Sequence, residues 1–411
     1  GKNMAGTGPA QSFTLTIADL PAGVAGTYAA PLQRSVSLGP DAALGGSVSV
    51  AISATGTLTG SLKIGGQSYP LKSRLVVPLS GMPAASMLVK QTTAPNLTIT
   101  FNIDGAANLL VSGGITDGTH FSGFTGWRNR WGTTLSAADK ETLSHYAGAH
   151  TFALKVPAGQ PAFPQGTGYG SFNVSPKNGT LSAVGKLADG TAFTCPAFAG
   201  PGGEVLVYQA LYSSKGSILG TLVVSPGTAG FSLPYGDDAI SGTVNWMRPA
   251  ITGRLYPGGF GPYDLKATGG RYTPPVAPKL VLGITDNLVS NNATLTFSSA
   301  TLVNGPPDIS FRLKAGSIFV PPSSSNNPRK TTLVVAPGSG YFTGGCSLSD
   351  PNPIVGTAVR GITCYGQIVK DSDGIQRGYG FFLLADLPST PGQTVGTTAQ
   401  HSGRVILEKA P

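Results

Sequence analysis

At 411 residues the chain is longer than a single hydrophobic core usually organises, so two or three domains are expected. Apolar residues make up 40% and charged ones only 11%, and the 59 glycines keep no third-residue period; collagen is excluded, and short strands with tight turns are expected in place of disorder. The 27 Lys and Arg against 18 Asp and Glu give a formal +9 that suits an anionic surface or polysaccharide, but the bases are scattered and argue against nucleic-acid binding.

GKNMAGTGPAQ does not read as a secretory leader, so a mature protein or a fragment of something longer is expected, and no apolar stretch is long enough to span a bilayer. SFTLTIADL at 12–20 reads as a strand, as does RVILEK at 404–409. If either lacks a partner within the chain, a neighbouring copy would pair with it by β-augmentation. The expected partners are therefore other copies or segments of the same protein.

The first unit is placed at 12–132. Its phrase GGSVSVAISATGTLTGSLKIGGQSYPLKSRL, residues 45–75, alternates apolar and polar positions and reverses at Gly56 and at Gly65-Gly66, as a β-meander does. A phosphate-binding loop is a poor fit, because the glycines precede a strand and no GK[ST] ending follows. The unit closes on GWRNRWG. In an extended strand Trp127 and Trp131 would share one face and Arg128 and Arg130 the other. The two rings either bind a flat ligand such as a glycan or cap the core of the unit.

SAADKETLSHYAG at 136–148 is the helix candidate, with Ser136 as its cap, and 133–144 is read as a helical linker. His145 and His150 are five residues apart with no HExxH pattern, so ordinary packing roles are favoured over a metal. The second unit, 145–272, repeats the phrase as GYGSFNVSPKNGTLSAVGKLADGTAFTCPAF at 168–198, with Gly179 in one turn and Asp189-Gly190 in a hairpin turn of mirror-image type. DAISGTVNWMRP at 238–249 is a distant counterpart of DGTHFSGFTGW at 117–127, so both units should end on a Trp-bearing strand. LYPGGFGPYDL sets Tyr256, Phe260 and Tyr263 among glycines and prolines, either as exposed rings for a glycan or partner or as a plug over a barrel end.

RYTPPVAPK breaks the strand pattern, and 273–279 is read as a Pro-rich linker. The third unit is placed at 280–409, with PPSSSNNPRK at 321–330 as an exposed loop and the phrase returning at 331–366 around Gly340. KDSDG is a hairpin turn and lacks the donor series of an EF-hand. Should the strands bearing Cys346 and Cys364 pair about residues 354–356, the two thiols become cross-strand neighbours able to form a disulfide, an 18-position loop for which chain entropy gives about 3 kcal/mol. Cys195 would stay a buried hydrophobe; three reduced thiols are the alternative.

FTLTIADLPAGVAGTYAAPLQR, GYGSFNVSPKNGTLSAVGKLADGTAF, LYSSKGSILGTLVV, NWMRP and RLYPGGFGPYDLKATGGRYTPP resemble repeat regions of very large secreted or cell-surface proteins of planctomycete and verrucomicrobial bacteria. The resemblance covers most of the chain and implies an architecture and an extracellular or cell-surface location. It supplies no catalytic or ligand residues.

No nucleophile elbow or paired-carboxylate pattern stands out. The expected fold is all-β, tandem antiparallel meander domains forming small barrels or strongly twisted sandwiches. The expected role is a structural segment of a surface or fibre protein, with adhesion as a further possibility. A carbohydrate-binding or cell-surface-binding module and, third, a polysaccharide-active enzyme are the alternatives. No enzyme activity, cofactor, metal or catalytic residue is expected.

Overall fold

The structure, a computed structural model, describes residues 2–3, 6–7, 19–78, 81–91, 94–104, 110–131, 135–157, 163–225, 239–286, 291–371 and 373–411. A two-residue pair, β1 (Lys2–Asn3) with β2 (Gly6–Thr7), precedes three eight-stranded antiparallel sheets. Barrel one comprises β3 (Gly26–Leu32), β4 (Gly46–Ile52), β5 (Thr57–Ile64), β6 (Gln67–Arg74), β7 (Ala84–Val89), β8 (Leu97–Asp104), β9 (Leu110–Thr116) and β10 (Phe121–Arg128). Barrel two runs through β11 (Gly148–Lys155), β12 (Gly168–Val174), β13 (Thr180–Lys186), β14 (Ala192–Phe198), β15 (Glu204–Leu211), β16 (Gly216–Ser225), β17 (Ala239–Arg248) and β18 (Phe260–Arg271). Barrel three has β19 (Ala293–Ser299), β20 (Ile309–Lys314), β21 (Ile318–Val320), β22 (Thr332–Ala336), β23 (Tyr341–Asn352), β24 (Gly356–Lys370), β25 (Gln376–Ala385) and β26 (Gln400–Lys409).

In each barrel the first strand pairs with the last, which curls an up-and-down meander into a nearly closed barrel with a single seam. The seam falls between β6 and β7 and between β14 and β15 in the first two barrels, but between β21 and β22 in the third. Reciprocal backbone bonds between Val76 and Ala84, 2.7 and 3.0 Å, narrow the first seam, while Gln209 Oε1 accepts the Thr194 N–H at 2.5 Å across the second. An open edge thereby gains partners without a full ladder.

Alternation decides what fills each barrel. In β4, Val48, Val50 and Ile52 face inward while Ser49 and Ala51 face out. The interiors are packed with apolar side chains: Tyr28, Leu58, Leu62 and Phe101 in the first, Phe152, Phe193, Val244 and Trp246 in the second, Phe311, Phe342, Phe382 and Leu407 in the third.

Several expectations are corrected. Asn352 pairs with Gly356, so β23 and β24 fold about residue 354 and Cys346 faces Ile362 while Cys364 faces Gly344. A register moved by one residue in its centre leaves the thiols diagonal, too far apart in such a ladder for the Cβ separation a disulfide needs, and all three cysteines are free and buried. RVILEK offers no open edge, because β26 is paired on both sides by β19 and β25; most of SFTLTIADL, residues 12–18, lies outside the described residues. The Trp-bearing strands are not equivalent: Trp127 is on the last strand of its barrel, and Trp246 on the penultimate one. The third phrase begins at the seam, on β22 to β24, whereas the first two occupy the second to fourth strands of their barrels. At Asp189-Gly190 only the glycine has positive φ, 87°, so the turn is not of mirror-image type. Gly56, Gly179 and Gly340 do take positive φ, and a helix, α1 (Ala137–Ser144), forms where one was expected.

Candidate functional site

Several of the candidate side chains lie where barrels meet. At the first junction Ala29 of β3 and Trp127 of β10, direct cross-strand partners pointing outward, pack on Phe198 and Leu206 of barrel two. The indole lies so close to Gly200 that a Cβ there would stand 2.6 Å from the ring. Trp131, past the end of β10, sits in the same way over Gly179, where a Cβ would meet the ring at 2.2 Å. The intervening Asn129 donates from Nδ2 to the Asn178 carbonyl at 3.1 Å. Both rings of GWRNRWG therefore leave barrel one and lie against turns of barrel two, a close approach that only glycine permits.

Arg34, which no local pattern singles out, stitches the same junction. Its guanidinium donates to Asn245 Oδ1 at 2.5 Å, Ser217 Oγ at 2.6 Å and the Leu44 carbonyl at 2.9 Å, with longer bonds to the Ser217 and Asn245 carbonyls at 3.3 and 3.2 Å. Burial draws its pKa down to about 10, the Tyr208 phenol opposing this slightly. Beside it opens a cleft of about 510 Å³ lined by Gln33, Thr221, Thr243, Asn245 and Asp264. Asn245 Nδ2 donates to Asp264 Oδ1 at 3.1 Å, and Lys266 Nζ to Thr243 Oγ1 at 2.9 Å. The cleft wall is thus polar and carries both charges.

At the second junction Ala153 of β11 packs with Val369, Tyr379 and Ile406 of barrel three. Asp371, at the end of β24, accepts from Lys155 Nζ at 2.9 Å and Thr268 Oγ1 at 2.7 Å, both from barrel two, and from the Tyr379 hydroxyl. Ser402 adds a backbone bond to the Tyr256 hydroxyl at 2.9 Å and a hydroxyl bond to the Ala188 carbonyl.

The LYPGGFGPYDL rings belong to this end of barrel two. Phe260 is buried edge-on to Trp246, centroids 4.6 Å apart, with Tyr256 and Tyr263 at 5.6 and 5.7 Å from it. Phe163 stacks on Tyr263 at 4.5 Å. Beneath them Asp189 Oδ2 accepts from Arg248 Nη1 at 2.8 Å and the Tyr212 hydroxyl at 2.7 Å, and Trp246 Nε1 donates to Tyr212 at 3.0 Å. Desolvation pushes Tyr256 up to about 12 and Tyr212 and Tyr263 further, so all three stay neutral. This is a plug built on a buried ion pair. Tyr256, Phe260 and Tyr263 come together here, and Trp127 and Trp131 lie apart from them at the other junction.

The remaining candidates scatter. His150 is buried, stacked on Phe172 at 5.1 Å with Nδ1 3.0 Å from the Gly148 carbonyl, and His120 pairs with Asp117 in an exposed turn. Among the described residues no group of three His, Cys, Asp or Glu side chains could hold a metal. Among the described residues no helix is long and apolar enough to cross a membrane, which says nothing of strands. Asp189 had been visible only as a turn residue, and nothing local marks Arg248 as its partner 59 residues on.

No family model matches the chain, and no curated protein matches it. One solved structure, a putative outer membrane protein from Bacteroides fragilis, is similar over 94% of this chain and 98% of its own at 9% identity, with a TM-score of 0.20. That degree of overlap describes no shared arrangement.

Proposed function

We propose that the chain is a non-catalytic structural segment of a larger extracellular or cell-surface protein, an array of barrels held at fixed angles that spaces or carries other parts, with adhesion as an added role of its exterior. The observation that carries this reading is the pair of junctions: each joins an apolar contact centred on a first-strand alanine, Ala29 or Ala153, to a charged residue bonded across the boundary, Arg34 or Asp371. Barrels linked only by flexible connections need no such contacts. The scarcity of charge, 11% of residues, and the phrases resembling planctomycete and verrucomicrobial surface repeats support the extracellular placement. Small-angle X-ray scattering tests it: one fixed shape across concentration is expected, and a profile needing independently moving barrels would refute the array.

A second reading, carbohydrate binding, draws on the cleft beside Arg34, whose Gln33, Thr221, Asn245 and Asp264 offer donors and acceptors on a shape of about 510 Å³. Titration with soluble polysaccharides, wild type against Asp264→Ala, separates the two: heat lost in the variant favours a binding module, and no heat in either favours the structural role.

A further inference from the structure

The first two barrels repeat one another on their outer surfaces in a way that their sequences conceal. In barrel two the outward row Leu206–Thr221–Thr243–Lys266 crosses β15 to β18, each residue directly opposite the next. In barrel one the corresponding strands β7 to β10 carry Leu88–Thr98–Thr116–Phe121, again directly paired. Both rows start with leucine on the first strand after the seam and continue with two threonines.

Their surroundings differ. Leu206 is only 8% exposed because Ala29 and Trp127 of the preceding barrel cover it. Leu88 is 57% exposed and Phe121 67%. Phe121 lies over Gly114, where a Cβ would come within 2.2 Å of the ring, so the ring is laid flat along the sheet and widens an apolar shelf. Two large apolar side chains flanking threonines on a flat sheet face are a surface suited to being covered.

We propose that the Leu88–Thr98–Thr116–Phe121 row is the docking surface for another eight-stranded barrel of the same kind, presenting a small first-strand residue beside a ring on its last strand as barrel one presents Ala29 and Trp127 to barrel two. The proposal rests on the array reading and extends it: the array is built to continue past barrel one from the β7 end of this row, three strands away from the β10 edge that meets barrel two. The occupant follows from the contact already seen on the equivalent row. Barrel three is met through Val369, Tyr379 and Ile406 on β24 to β26, further round its wall, so the equivalence rests on barrel two.

The test extends the full chain. A second copy of residues 19–147 is placed directly ahead of Gly26, so that the 129–147 connection that leads from barrel one to barrel two now leads from the added barrel to barrel one. Ala29→Cys in the added copy and Leu88→Cys in the resident barrel should cross-link on mild oxidation, as Ala29→Cys with Leu206→Cys should in the unextended chain. Val36→Cys in the resident barrel, 81% exposed beside the other junction, should not. Cross-linking at Leu88 no faster than at Val36 overturns the proposal. If the added barrel does not fold, seen as no gain in tryptophan near-UV signal, the same copy is placed ahead of Asp19 instead, and the Ala29→Cys with Leu88→Cys pair is judged by the same criterion. Leu88→Lys and Phe121→Lys should leave the melting of the unextended chain unchanged; a large drop would make the row part of the core of barrel one and overturn the docking role. Scattering that shows a fixed array together with no Leu88 cross-link would sink this proposal alone, whereas moving barrels would sink the array itself.

Discussion

Arg34→Lys is the substitution that best tests how the first junction is held. The guanidinium makes three short bonds, to Asn245 Oδ1, Ser217 Oγ and the Leu44 carbonyl, in directions that diverge by the width of its fork. A lysine ammonium keeps the charge but is a single point, and it can reach one or two of these acceptors. Bonds from a charged donor contribute about 1.5–3 kcal/mol each. Taking the low end for a partly buried group, and two bonds lost, lysine should cost about 3 kcal/mol; alanine should cost somewhat more, because it removes all three bonds. Among the described residues no carboxylate bonds to Arg34. Charge alone therefore gives lysine little to recover. Differential scanning calorimetry should show the transition of barrel one moving down and separating from the others, by roughly 4–8 °C for each kcal/mol in a unit of about 100 residues. Were Arg34→Lys to melt as the wild type does while Arg34→Ala fell, the positive charge and not the fork would be holding the junction, and the geometric account would be wrong.

Phe260→Ala should destabilise barrel two by about 3–5 kcal/mol, since it empties the centre of a plug whose neighbours Trp246, Tyr256 and Tyr263 are fixed by their own partners and cannot collapse, and urea unfolding followed by tryptophan fluorescence would read it. Asp371→Asn should loosen the second junction by about 2 kcal/mol through the lost Lys155 pair, with Lys155→Met partly rescuing it by removing the orphaned cation; the outcome is read in the calorimetric transition of barrel three. Burial raises the Cys346 thiol to about 11 and Cys364 to about 12, the neighbouring Cys346 adding to the latter. Unfolding lets both ionise near 9, so their contribution is fully present below pH 9 and is lost as pH rises through 11–12; the urea midpoint should fall across that range, less steeply in the double alanine variant. Native material should also resist alkylation at pH 8 and react fully in urea.

The strands could be read from the sequence because period-two alternation between glycine turns is a local signal, and β4, β12 and β13 sit where that signal placed them. Their closure into barrels could not, since pairing of β3 with β10 or β11 with β18 joins residues about 100 apart that carry no mark of each other. The disulfide shows how narrow the margin is. A hairpin centre near 355 would have set Cys346 opposite Cys364, and the observed centre at 354 sets each opposite a different residue. NPIVG fixes that centre only in part: Asn352 Oδ1 accepts the Ile354 and Val355 N–H groups, but the Asn352 side chain is itself held by donating from Nδ2 to the Pro388 carbonyl of a distant loop.

The reason the aromatic residues resist assignment from sequence is physical. A ring among glycines has the same sequence signature whether it faces a sugar or a neighbouring barrel, because both require a flat backbone that allows close approach. Trp131 over Gly179 and Trp127 over Gly200 use that flatness between barrels, with the glycines supplied by the second barrel and the rings by the first. Phe121 over Gly114 uses it within one sheet and leaves the ring outside. Only exposure distinguishes them, 6% for Trp127 against 67% for Phe121, and exposure is set by the barrel that lies opposite. The residue with an unused ring was therefore the one the sequence passed over: HFSGF reads as an ordinary strand entry, and the glycine that flattens Phe121 stands on the adjacent strand, in SGGIT.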